Sequence, residues 1–171
     1  MRERDYNMNE QPRWPLEGVK VLDLGQIYNG PYAGFLLAHA GADVVKVEPL
    51  GGEVLRQRGG GLGVPFSLSM LNTRKSGIAI DLKHPDGKAL MLDLVREADV
   101  LLENFAPGAM ARLGLGADDL LKINPRLIYG SSTGYGLSGP DRDNLAMDLT
   151  VQAIGGIMSI NGPEDGPPLK A

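Results

Sequence analysis

At 171 residues the chain is long enough to bury a core and fits one domain of common size. Hydrophobic residues at 43% and charged residues at 22% are an ordinary balance, and a net charge of −4 argues against a general nucleic-acid binder, which is normally basic. With no cysteine there are no disulfides and no cysteine metal sites, which leans towards a reducing compartment.

The opening "MRERDYNMNEQPRWP" is charged and lacks the apolar core of a signal peptide. No stretch approaches the about 18 uninterrupted apolar residues of a membrane span. The expectation is a soluble, cytoplasmic protein, with a flexible tail over 1–14 and no metal, nucleic-acid or membrane partner. "GVKVLDL" (18–24) is a short apolar run bounded by Gly25, which predicts a buried strand. "GPYAGFLLAHAGA" follows as a helix, with Pro31 suited to its first position and Gly41 to its stop. "DVVKVEP" (43–49) is a second strand. Strand, helix and strand within about 30 residues form a βαβ unit, hence a parallel sheet with a right-handed crossover.

A glycine-rich loop (51–65) precedes a third strand, "GIAIDL" (77–82). Residues 84–98 read as a helix, because Ala89, Leu90, Leu94 and Val95 fall near a 3.6-residue period. A fourth strand (99–105), two short helices ("PGAMARLGL" and "ADDLLKIN") and a fifth strand (126–132) come next. Residues 146–158 predict a last helix, weakened by Gly155 and Gly156. The alternation predicts an α/β fold, a Rossmann-like open parallel sheet with helices on both faces.

Open sheets of this kind bind ligands beyond the carboxyl ends of their strands. The first such end is "GQIYNGP" (25–31), where Gly30 and Pro31 lead into a helix whose free N–H groups suit an anion. A plain tight turn reads equally well. Gly25, Gly30 and Gly34, with Glu48 ending the next strand, suggest a dinucleotide site, but their spacing is not G-x-G-x-x-G. In "NTRKSG" (72–77), Arg74 and Lys75 are adjacent cations suited to phosphate, or simply solvated. Asn104 and Phe105 leave the fourth strand with an amide and a ring suited to adenine or a pantetheine amide, or to a turn cap and a core filler. "GSSTGYGLSGP" (130–140) surrounds Tyr135 with small residues that let a ligand approach the backbone, or that make a flexible surface loop.

Taken in order, "PLEGVKVLDLGQIYNGPYAGFLLAHAGADVVKVEPLGG", "NTRKSGIAIDLKHPDGKALMLDLVREADVLLENFAPGAMARLGLG" and "NPRLIYGSSTGYGLSGP" resemble the class III coenzyme A transferases. These are the family of formyl-CoA transferase, the carnitine CoA-transferases and the bile acid-inducible protein F type. The resemblance runs from Pro15 to the last residue. It implies part of a large CoA-binding domain (15–171), lacking a second, smaller domain, and a homodimer of interlocked chains. It places Gln26, Ile27, Lys75, Asn104, Phe105 and Arg112 around coenzyme A. Lys75 and Arg112 would meet its phosphates, and Asn104 with Phe105 its nucleotide or pantetheine portion. Arg112 reads equally as a helix-surface charge.

The implied reaction moves coenzyme A between an acyl-CoA and a small carboxylic acid through an aspartyl anhydride and then an aspartyl-CoA thioester. In the family the nucleophilic Asp follows a turn like "NGPEDGPPLKA", so the resemblance places it beyond Ala171 and predicts no turnover by these residues alone. Asp148, in "AMDLTVQAI", is the one candidate within them. A carboxylate in that apolar segment needs a partner, or it serves a helix start by bonding backbone amides. Asp23, at the end of the first strand, reads as structural. Two departures stand out: Tyr28 occupies the place of a Gln in formyl-CoA transferase, and Met147 replaces a His of the α-methylacyl-CoA racemases. Methionine cannot exchange a proton, which weakens a racemase reading. Tyr28 and loop 59–63 are expected to influence the choice of acid. The other readings are a non-catalytic CoA-binding module or subunit completed by another chain, and a nicotinamide oxidoreductase.

Overall fold

Five short runs of Val, Leu and Ile align in parallel into one sheet: β1 (Lys20–Asp23), β2 (Asp43–Glu48), β3 (Ser76–Ala79), β4 (Val100–Glu103) and β5 (Ile128–Ser131). This architecture comes from a computed structural model that describes residues 14–58 and 63–171. The strand order is β3-β2-β1-β4-β5. β1 and β4 therefore pair at the point where the winding changes direction. Their register sets Val21 beside Val100, Leu22 beside Leu101 and Asp23 beside Leu102.

Alternate side chains of each strand feed two apolar layers, as expected of parallel strands covered on both sides. On one face, Val21, Val44 and Val100 pack with Ala38 and Leu37 of α1 (Asn29–His39). On the other, Leu22, Val47 and Leu101 pack with α3 (Pro85–Glu97), α4 (Ala109–Arg112) and α5 (Ala117–Ile123) through Met91, Val95, Met110 and Leu120. Helices thus cover both faces, as the alternation of elements predicts. α3 begins as its sequence suggests: Pro85 opens it, and the His84 ring accepts a hydrogen bond from the Asp86 amide at 3.3 Å.

The differences from expectation are local. A six-residue helix, α2 (Phe66–Leu71), and a 3-10 turn (Val54–Arg58) form where the sequence offers no long periodic pattern. The last helix, α6 (Asp148–Ile154), is shorter than 146–158, because the chain turns at Gly156 (φ 80°) into a second 3-10 turn (Ile157–Ile160). Most of the expected tail and residues 59–62 of the glycine-rich loop lie outside the described residues. Trp14, the tail's last residue, stacks under the Arg74 guanidinium at 5.3 Å. No helix among the described residues is long and apolar enough to cross a membrane.

Candidate functional site

The turn from β1 into α1 sits at the winding switch. Its two ends nearly touch: a Cβ added at Gly25 would lie 2.6 Å from the Gly30 backbone, and one at Gly30 would lie 2.5 Å from the Gly25 Cα. Only glycine permits that approach. Side chains from next to the turn and from distant parts of the chain then fix it amide by amide. The Gly25 N–H donates to Asp23 Oδ1 (2.8 Å), the Gln26 N–H to Asn104 Oδ1 (2.7 Å) and the Ile27 N–H to Glu53 Oε2 (3.0 Å). Asn104 Nδ2 donates back to the Gln26 carbonyl at 2.9 Å, so one amide side chain from the end of β4 clamps both backbone groups of Gln26. Ile27 is left-handed (φ 64°), a conformation that costs a β-branched residue about 1–3 kcal/mol and persists only where its surroundings enforce it.

The expectation of free N–H groups along 25–31 is thereby narrowed. The amides of Gly25, Gln26 and Ile27 are taken, while those of Asn29 and Gly30, in the first turn of α1, have no acceptor among the described residues. Asn29 Nδ2 donates to Ser132 Oγ (2.9 Å), which ties the same turn to the end of β5.

Beneath α1 lies a cluster of buried charges. Asp23, Lys46 and Glu53 are 0%, 2% and 1% exposed. The Lys75 side chain joins them at 1% exposed. Its ammonium uses all three protons on Asp23 Oδ2 (2.7 Å), the Pro31 carbonyl (2.8 Å) and Asn72 Oδ1 (3.0 Å). Burial pushes the Lys75 ammonium below the usual lysine range, and Asp23 acts against that shift. Lys46 donates to the Gly25 carbonyl and stands 4.0 Å from Asp23 Oδ1 and 3.9 Å from Glu53 Oε2. Two carboxylates and two ammoniums thus share one water-poor space, which is how buried charges are normally tolerated. Glu53 Oε1 alone, among the described residues, is buried with no hydrogen-bond partner.

Glu53 continues outward to the ends of β2 and β3. Its N–H donates to Glu48 Oε2 (3.0 Å), and Arg56 holds both Glu48 oxygens at 2.6 Å. That guanidinium bond keeps the Glu48 carboxyl below its ordinary range, against the opposing pull of burial. A free Glu48 carboxylate for a ribose hydroxyl, as the dinucleotide reading needs, is therefore not present. Beside this pair opens a cavity of about 440 Å³ lined by Glu48, Pro49, Leu50, Gly51, Arg56 and Ile78.

Gln26, Ile27 and Asn104 meet directly at the switch point. Phe105 follows, its N–H donating to Glu103 Oε2 (2.8 Å) and its half-buried ring leaning on the core. Arg112 closes α4, exposed and in no ion pair among the described residues. Lys75 lies under the turn, with no proton left for a phosphate. Its neighbour Arg74 instead faces Trp14. Tyr28 precedes α1 and is 54% exposed, while Tyr135 is half-buried in the loop after β5. Asp148 is remote in character: it is exposed, accepts from Gln152 Nε2 (2.8 Å) and pairs with Lys170 (3.0 Å), which hold its carboxyl below the usual range. α6 has no buried residue, so Asp148 is not a carboxylate in an apolar setting, and its partners are side chains rather than helix-start amides.

Glu53, Lys46 and Asn29 join the site without having stood out in the sequence. A lysine inside the apolar strand "DVVKVE" was a legible sign of a buried charge, because it shares its strand face with Val44.

The family model for CoA-transferase family III matches residues 16–171. The chain is 44% identical over 162 residues to the acetyl-CoA:oxalate CoA-transferase of Acetobacter aceti, covering 94% of this chain and 42% of that protein. It is 43% identical over 176 residues to the succinate–glutarate CoA-transferase of Agrobacterium fabrum, covering 95% and 42%. The crystal structure of a CAIB/BAIF family protein from Brucella suis superposes with a TM-score of 0.86 at 39% identity, covering 92% of this chain and 43% of that one. The chain thus spans about two-fifths of the length of the curated relatives it matches. It belongs to CoA-transferase family III.

Proposed function

We propose that this chain supplies the coenzyme A site of an enzyme that moves coenzyme A between an acyl-CoA and a small carboxylic acid. The observation that carries the proposal is the switch-point turn clamped by Asn104, in a chain of this family. Gln26, Ile27, Asn104, Phe105 and Arg112 line the ligand, and Lys75 supports it from beneath through Asp23 and the Pro31 carbonyl. The Asn29 and Gly30 amides, at the positive end of α1, and Arg112, which is in no ion pair among the described residues, receive phosphate or thioester oxygens. The cavity beside Glu48 and Arg56 takes the nucleotide end.

The transfer runs through a carboxylate nucleophile outside these residues. Its oxygen attacks the thioester carbonyl, the C–S bond breaks, and thiolate and an anhydride form. The thiolate then attacks the enzyme's acyl carbon, which releases the donor acid and leaves an enzyme thioester. Attack by the acceptor acid and a second thiolate return complete the exchange. We place the whole enzyme in the cytoplasm as a homodimer. Calorimetric titration tests the reading: coenzyme A binds and NAD does not, whereas preference for NAD would overturn it.

A second reading, a binding module or subunit that needs another chain for chemistry, is favoured by Asp148, which is solvent-exposed and ion-paired. It predicts binding without turnover. Transfer of coenzyme A by the purified 171-residue chain would refute it.

A further inference from the structure

We propose that Glu53 is a positioning residue for this site: its carboxylate, bonded to the Ile27 amide, holds the turn in its left-handed form and so sets where Gln26 and the first amides of α1 meet the ligand. The inference deepens the coenzyme A reading and rests on it.

Three observations converge on Glu53. It lies in the segment after β2, 26 residues from Ile27, yet its Oε2 is the acceptor of the Ile27 N–H at 3.0 Å. Ile27 has φ 64°, a region that a β-branched residue leaves unless something outside the turn retains it. The carboxylate is 1% exposed, its second oxygen has no hydrogen-bond partner among the described residues, and Lys46 at 3.9 Å is its neighbouring cation. The Glu53 carboxylate restrains a strained amide, a pattern expected where local strain serves a site. Neighbouring groups keep it in place: its own N–H is bound by Glu48, which Arg56 fixes in turn. Ile27 also follows Gln26, whose amide and carbonyl are both held by Asn104. Glu53 and Asn104 therefore grip the Gln26–Ile27 peptide from opposite sides, at its N–H and its carbonyl, and releasing either lets the turn relax.

The mechanism predicts a specific coupling. If Glu53 acts by enforcing a positive φ, its removal matters less when residue 27 adopts that φ without cost, as glycine does. The experiment is a cycle of E53A, I27G and the double variant, read by coenzyme A titration and by amide exchange at residue 27. The loss of one charge-assisted hydrogen bond predicts about a tenfold weaker Kd for E53A against the native chain. In the I27G background the same change should cost less than about threefold. Amide protection at Ile27 should vanish in E53A without ligand present, which keeps this test separate from the coenzyme A reading itself. If E53A does not fold, E53Q enters the same cycle; it retains an acceptor for the amide and should keep Ile27 protected and the Kd close to native. An equal cost of E53A in both backgrounds, or an Ile27 amide still protected in E53A, overturns the proposal. Loss of both protection and affinity in E53Q overturns it as well.

Discussion

Replacing Gly34 with alanine sets two effects of known size against each other. Gly34 lies inside α1, where alanine is intrinsically better than glycine by about 1 kcal/mol. A Cβ there would stand 2.5 Å from Asp23 Oδ2 and 3.0 Å from Lys75 Nζ. Asp23 cannot swing aside cheaply, because its other oxygen holds the Gly25 amide at 2.8 Å and Oδ2 holds Lys75 at 2.7 Å. The methyl group must therefore part the buried ion pair or lift α1 off the sheet. Breaking a buried pair costs about 3–5 kcal/mol, so the net loss for G34A is about 2–4 kcal/mol. At this chain length that lowers the Tm by about 5–12 °C. Urea unfolding followed by circular dichroism, with unchanged m, measures it. A G34A protein as stable as the native one, or more stable, would mean that the Asp23–Lys75 pair does not limit the approach of α1.

Three further outcomes follow from the same geometry. N104A removes two hydrogen bonds of about 1 kcal/mol each and should lower stability by about 2 kcal/mol while weakening coenzyme A binding; lost affinity at full stability would mean that the clamp on Gln26 contributes nothing to the fold. Burial, then Glu103, raise the Tyr129 hydroxyl above its ordinary value, so the folded chain keeps a proton that the unfolded chain releases near pH 10. The associated stability is complete below about pH 10 and declines above it, and Y129F should flatten that decline in alkaline unfolding curves; an identical slope would contradict the assignment. Leu145, Leu149, Ile154, Ile157 and Ile160 are all more than 45% exposed, so light scattering of the 171-residue chain should show concentration-dependent self-association, and a monodisperse monomer would count against it.

The sheet was legible because each strand is an apolar run closed by a polar or glycine boundary, as "KVLD" before Leu24 and Gly25 illustrates. The strands end earlier than predicted at their carboxyl ends. Asn104 and Phe105 leave the ladder for the turn that clamps Gln26, whereas Leu24 keeps one bond to it, its N–H donating to the Leu102 carbonyl at 2.8 Å. α2 was missed because six residues are too few to display a helical period. The site's location was also legible, since Gly25, Gly30 and Pro31 announce a tight turn into a helix. Its wiring was not. Asn104 meets Gln26 across 78 positions and Glu53 meets Ile27 across 26, and no local pattern encodes such pairings. Arg74 and Lys75 illustrate the limit: adjacent cations of the same apparent use diverge, one onto Trp14 and the other into a buried pair with Asp23.

Backbone amide NMR of the chain titrated with coenzyme A tests, residue by residue, the proposed binding at the carboxyl ends of β1 and β4. Shifts are expected at Gln26, Asn29, Gly30, Asn104 and Phe105, with none at Lys20, Asp99 or Arg126 at the opposite end of the sheet. Shifts confined to that opposite end, or none at millimolar coenzyme A, would contradict it.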